Sequence, residues 1–133
     1  MAESILKNKS YEFAIMIVKT VEHLIADRKE YILSKQLLRS GTAIGALIRE
    51  AEFAQSKLDF INKLSIALKE ANETQYWISL LKDTNYISDE ASKKLIIACN
   101  EIISMLVASI KTAKANKYFS FFILNFSFFT FTL

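Results

Sequence analysis

Not one proline interrupts this chain, and its 133 residues include only two glycines, Gly41 and Gly45. An all-β domain needs turn residues every 8–12 positions or so, and proline and glycine are the chief of these. Helices, in contrast, keep both residues out of their interiors. The same scarcity excludes a glycine-rich phosphate loop, since neither glycine has the partners that such a loop requires. The expectation is an all-α fold, with the helical period visible along the chain.

That period occurs four times. Residues 10–27 place Ala14, Ile17, Val18, Val21, Leu24 and Ile25 at i, i+3, i+4, i+7 spacing, with Ser10 as the expected N-cap. Periodicity lapses from Arg28 to Leu33. Ser34 then caps an expected second helix running to about Gln55, with Leu37, Gly41, Ile44, Ile48 and Ala51 on one face. A glycine inside a helix costs about 1 kcal/mol relative to alanine, so both point to a close approach by another helix. Ser56 and Asp59 resemble a capping box opening a third helix, whose stripe is Phe60, Leu64, Ala67, Leu68, Ala71, Ile78 and Leu81. Ser88-Asp-Glu opens the fourth, which buries Ala91, Leu95, Ala98, Cys99, Ile102, Leu106, Ile110 and Ala113. Short connections between four such helices imply an antiparallel up-down-up-down four-helix bundle over residues 10–117, after an N-terminal lead at 1–9.

Residues 118–133 form a different kind of segment, with eleven apolar residues, seven of them Phe, and no charge. A membrane-spanning helix needs about 20 apolar residues. This stretch is shorter, is interrupted by Ser, Asn and Thr, and its aromatic content favours extended chain. It is read as a hydrophobic appendage outside the bundle, and no membrane partner is expected. The N-terminus lacks the basic and apolar regions of a signal peptide, and the lone Cys99 excludes a disulfide framework within the chain. Both suit a cytoplasmic protein.

Catalytic and metal-binding residue patterns are missing. Helical bundles build di-metal sites from paired Glu-x-x-His motifs, but the one histidine here, His23, follows Thr20. Glu70 and Glu73 lie outside the expected core beside Lys69, which suits an ion pair rather than an acid–base pair. Cys99 falls on a core stripe as an inert thiol, and no base is placed to activate a Ser, Thr or Tyr. The sequence therefore indicates no enzyme, no cofactor and no metal.

Surface patterns are more informative. Seventeen Lys/Arg against fourteen Asp/Glu leave +3, and residues 84–117 hold five positive and three negative charges. Arg28, Lys29, Lys93, Lys111, Lys114 and Lys117 are the candidate phosphate-binding cations. On the third helix Ile66, Trp77 and Leu80 lie roughly opposite the core stripe near Glu73. On the second, Arg39, Ala43, Ala46 and Glu50 form a line of small residues flanked by charge. A second apolar or small-residue face on two helices points to a subunit interface.

The second and third helices also carry recognisable motifs. Gln36-Leu-Leu-Arg39-Ser40-Gly41-Thr42-Ala43-Ile44-Gly45-Ala46 leads to Arg49-Glu50-Ala51. Asp59-Phe60-Ile61 is followed by Ala67-Leu68-Lys69-Glu70-Ala71-Asn72-Glu73-Thr74 and Tyr76-Trp77. Over roughly residues 10–115 the chain resembles the bacterial four-helix bundle family of 23S rRNA-intervening-sequence proteins, which includes the accessory variability determinants of diversity-generating retroelements. It departs from the family pattern at Ala43, usually Ser, and at Leu47, usually Asn; both departures remove a hydrogen-bonding side chain. The resemblance implies a homo-oligomer, a pentamer whose subunits are four-helix bundles. It also implies two functional expectations: an RNA- or DNA-binding scaffold that uses basic patches, or an adaptor for a protein such as a reverse transcriptase.

Overall fold

A computed structural model describes residues 4–115, which form four helices joined by short connections. These are α1 (Ile5–Ala26), α2 (Leu33–Glu52), α3 (Lys57–Asp83) and α4 (Asp89–Ala115). Each helix packs on the next and α4 packs on α1, which closes a four-membered ring. Contacts fall where antiparallel neighbours put them: Lys7 reaches Glu52 while Gly41 meets Ile17, and Lys57 reaches Lys114 while Cys99 meets Ala71. The arrangement is an all-α four-helix bundle compatible with up-down-up-down order.

The core consists of Phe13, Ile17 and Leu24 from α1, Leu37, Ile44 and Ile48 from α2, Phe60, Leu64 and Ile78 from α3, and Leu95, Cys99 and Leu106 from α4, with smaller residues between them. Among the described residues only α4 is long and apolar enough to cross a membrane. In this fold it lines the core through Leu95, Cys99, Ile102, Leu106, Ile110 and Ala113.

Several expectations are corrected at this level. The first helix begins at Ile5, capped by Ser4, whose Oγ accepts the Lys7 N–H at 3.3 Å. Residues 5–9 therefore belong to the bundle rather than to a lead, and Leu6 is fully buried. Ser10, expected as the cap, sits inside α1 and donates its hydroxyl to the Lys7 carbonyl. Val18 and Ile25 are 40% and 41% exposed, because each lies about 100° around the helix from its buried predecessor, Ile17 or Leu24. Ala91 is exposed where Ser92 is buried, and Leu68 and Ala98 are half-buried.

Ser34 does not cap α2. Ile32 holds the cap position without a side-chain hydrogen bond, and the Glu30 carboxylate accepts the Ser34 N–H at 2.8 Å. The Ser34 hydroxyl returns a bond to the Glu30 carbonyl, so the two residues fasten the start of α2 reciprocally. Ser56 and Ser88 do cap α3 and α4, accepting the N–H groups of Asp59 and Ala91. At the end of α3, Asn85 adopts φ 65°, with bonds from its N–H to the Lys82 carbonyl and from the Tyr86 N–H to the Leu81 carbonyl. That is a left-handed cap, which asparagine tolerates and most residues do not. Residues 116–133, which include Lys117 and the hydrophobic appendage, lie outside the described residues.

Candidate functional site

The recognisable motifs of α2 and α3 face each other. Arg39 of α2 projects from a helix turn whose next residues, Ser40 and Gly41, are buried. Its guanidinium donates to the Glu70 carboxylate, at 3.1 Å for the closest pair, and to the Glu73 carboxylate. Trp77, one turn further along α3, donates its indole N–H to the same Glu73 carboxylate at 3.0 Å. Beneath this cluster the Ser40 and Thr74 hydroxyls are hydrogen-bonded at 3.0 Å, and Thr74 also donates to the Glu70 carbonyl.

The electrostatics follow from those partners. The Trp77 N–H lowers the pKa of the Glu73 carboxyl; burial opposes this, and Arg39 reinforces it, so Glu73 titrates below its ordinary value of 4.5. Burial works against the Arg39 charge, but hydrogen bonds and charge from Glu73 and Glu70 outweigh it and raise Arg39 above its ordinary range. Glu70 and Glu73 thus share an arginine from the neighbouring helix; Lys69 plays no part in this cluster. The hydrogen bonds of the cluster run from α2 to α3, and its chemistry is that of a helix–helix clasp.

The expected second faces are partly occupied from within. Arg39, Glu73 and Trp77 are joined in the clasp, and Trp77 packs its half-buried ring against the core. Glu50 accepts from Lys63 of α3 at 3.2 Å. Ala46 and Ile66 remain on the outside, while Ala43 and Leu80 are half-buried. Leu47, where the resembled pattern has Asn, packs half-buried against the core.

The expected cations separate into two groups. Arg28 and Lys29 lie in the α1–α2 connection, and Lys93 lies in the second turn of α4. Lys111 and Lys114 are about 27–32 Å further along α4 at 1.5 Å per residue, so the structure does not gather them into one patch. Arg28 is moreover engaged: its guanidinium donates to the carbonyls of Asn85 and Tyr86 at 2.8 and 3.1 Å and lies 5.0 Å from the centre of the Tyr86 ring. It ties the α1–α2 connection to the α3–α4 connection. Lys117 lies outside the described residues.

Other sequence readings are placed simply. His23 is exposed, with Nδ1 2.7 Å from Asp27 Oδ2 one turn later. Cys99 is buried, bonds through Sγ to the Ala71 carbonyl at 3.5 Å, and is pushed up to about 12 by burial. Among the described residues no group of three or more His, Cys, Asp or Glu side chains could hold a metal.

Comparison with known proteins bears on the same segments. The model of the family described as 23S rRNA-intervening sequence protein matches residues 2–108. The chain belongs to the 23S rRNA-intervening sequence protein family. Its fold is matched in a crystal structure of a protein of unknown function from the S23 ribosomal protein family of Bacteroides thetaiotaomicron. That protein is 55% identical, with a TM-score of 0.80, and the match covers 81% of this chain and 100% of the other. None of the curated proteins matches the chain. In this member of the family, the paired α2 and α3 motifs hold the two helices in register.

Proposed function

We propose that this protein is a non-enzymatic oligomeric scaffold, a pentamer of bundles, that binds RNA through exposed lysines repeated on each subunit. The observation that carries the reading is the set of unpaired cations. Lys29, Lys93, Lys111 and Lys114 are exposed and, like Lys19, Lys35, Lys69 and Lys82, have no carboxylate partner among the described residues, whereas Lys7, Lys9, Lys63 and Lys94 each have one. The family description associates such chains with the 23S rRNA intervening sequence. Two small groups of cations per subunit give weak binding alone and stronger binding when an assembly presents several copies.

Fluorescence anisotropy with a structured RNA, read across a salt series, tests this. Affinity should fall linearly with salt on logarithmic axes. A Lys29→Gln/Lys93→Gln/Lys111→Gln/Lys114→Gln chain should show a slope shallower by about one for each phosphate that no longer meets a lysine. Absence of binding at low salt overturns the proposal, and preference for duplex DNA would reassign the ligand.

An adaptor role without nucleic acid is the second reading. Its support is a stripe on α1, where Tyr11, Ile15, Val18 and Ile25 are 57%, 43%, 40% and 41% exposed. Aliphatic side chains in such a row suit a protein partner, a reverse transcriptase or another protein. Affinity capture that returned RNA and no protein would count against it.

A further inference from the structure

Arg49, in the last turn of α2, is exposed and has no carboxylate partner among the described residues. Its guanidinium carbon lies 5.7 Å from the centre of the Tyr11 ring of α1, which is itself exposed. One turn further on, at the C-cap of α2, stands Phe53, 83% exposed. Arg49 borders two grooves, and one of these rings lines each of them.

The groove on the Tyr11 side runs between α1 and α2 and has a volume of about 280 Å³. Lys7 and Arg49 line it, the small residues Ala14, Gly45 and Ala46 keep it open, and among the described residues no carboxylate lines it. The nearest carboxylate partner is Glu52, which Lys7 meets at 3.2 Å. Thr42, also on the wall, donates its hydroxyl to the Leu38 carbonyl at 2.7 Å, so toward a ligand its oxygen is an acceptor. On the Phe53 side the carboxylates are engaged: Glu50 accepts from Lys63, and Asp59 accepts the Gln55 N–H at 3.2 Å. Exposed rings and a planar cation stack on the flat faces of bases, and the cation also meets phosphate. Only unpaired nucleotides offer both, because the base faces of a duplex are already stacked on one another. We propose that Tyr11, Arg49 and Phe53 bind unpaired nucleotides of a single strand, the rings stacking on bases and the guanidinium meeting a backbone phosphate. The proposal rests on the nucleic-acid reading above but uses none of its four lysines, so the two can fail separately.

Fluorescence anisotropy of the full chain tests this with a labelled oligoadenylate, alone and paired with oligouridylate. Tyr11→Ala with Phe53→Ala should weaken single-strand binding by about five-fold or more and leave duplex binding within about two-fold. Tyr11→Phe alone keeps the ring and should bind like the native chain. Arg49→Gln should make the single-strand salt dependence shallower by about 0.7, the value of one lost phosphate contact. Helical circular dichroism and particle mass should stay unchanged in every variant. An unchanged single-strand affinity in the ring variant, or equal losses for single strand and duplex, overturns the proposal. So does a lower particle mass, which would assign the rings to contact between copies of the chain. If the chain lacking Lys29, Lys93, Lys111 and Lys114 loses binding while the ring variant does not, this proposal fails and the lysine reading stands. The reverse pattern overturns the lysine reading alone, and a native chain that binds neither strand nor duplex overturns both.

Discussion

Glu73 is the residue at which the α2–α3 motifs converge, and its protonation can be read directly. Its carboxyl titrates below its ordinary value of 4.5, so the stability it contributes is fully present above that pH and disappears as pH falls through the lower, folded value. Trp77, the chain's one tryptophan, donates to that carboxylate and reports the event by fluorescence. The emission titration should have its midpoint below 4.5, and Arg39→Gln should move the midpoint upward. Identical midpoints in the two proteins would mean that the clasp does not form in solution. The ingredients of this cluster are visible in the sequence, but their pairing is not evident from helical periodicity. One signal is available: Arg39 lies fifteen residues before Ala54 and Glu70 fifteen after Gln55, so a hairpin folded at that connection brings them opposite. Glu30 offers no such signal, because a carboxylate that caps a helix from outside it depends on the path of the α1–α2 connection.

At the scale of whole helices, the glycines of α2 mark where α1 crosses it. A Cβ at Gly41 would stand 2.8 and 2.9 Å from Cγ1 and Cγ2 of Ile17, whose branched side chain is fully buried. At Gly45 the nearest atoms are the Ser10 carbonyl and hydroxyl oxygens, both at 3.4 Å. The two sites should respond oppositely. Gly41→Ala should lower stability by about 1–2 kcal/mol, as overpacking outweighs the gain in helix propensity. Gly45→Ala should raise it by up to about 1 kcal/mol, since the added methyl meets ordinary contact distances. Urea denaturation of both variants checks the contrast, and equal effects would place the crossing elsewhere. The close approach is legible from two glycines four residues apart. The start of α1 is not: Asn8 and Lys9 interrupt the apolar pattern between Leu6 and Phe13, and Ser10 has the composition of a cap. The Ser4 cap and the burial of Leu6 show that the helix starts earlier.

For the molecule as a whole, the bundle is legible because most of the apolar stripe residues fall at the expected faces. Its outer surface is less so, since a residue opposite the core in projection can still be bonded to a neighbouring helix, as Arg39 and Trp77 are. Substituting either would disturb the fold along with any assembly. Ala46 and Ile66 are the better probes, because both lie on the expected faces, are exposed, and have apolar side chains with no hydrogen bond to lose. Ala46→Glu with Ile66→Glu should reduce the particle mass seen by light scattering while changing the stability of the subunit by only about 0.5 kcal/mol per site. An unchanged mass would remove these faces from the interface and leave the α1 stripe to account for assembly.

The placement of Cys99 gives the molecule a clock. A thiol reagent attacks only the thiolate, and a group that ionises near pH 12 inside a packed core offers almost none in the folded state. With the reagent concentrated enough for attack to outpace reclosing, modification in native buffer should therefore proceed at the frequency with which the bundle opens around Cys99. With one cysteine in the chain, that single rate times the separation of α3 from α4.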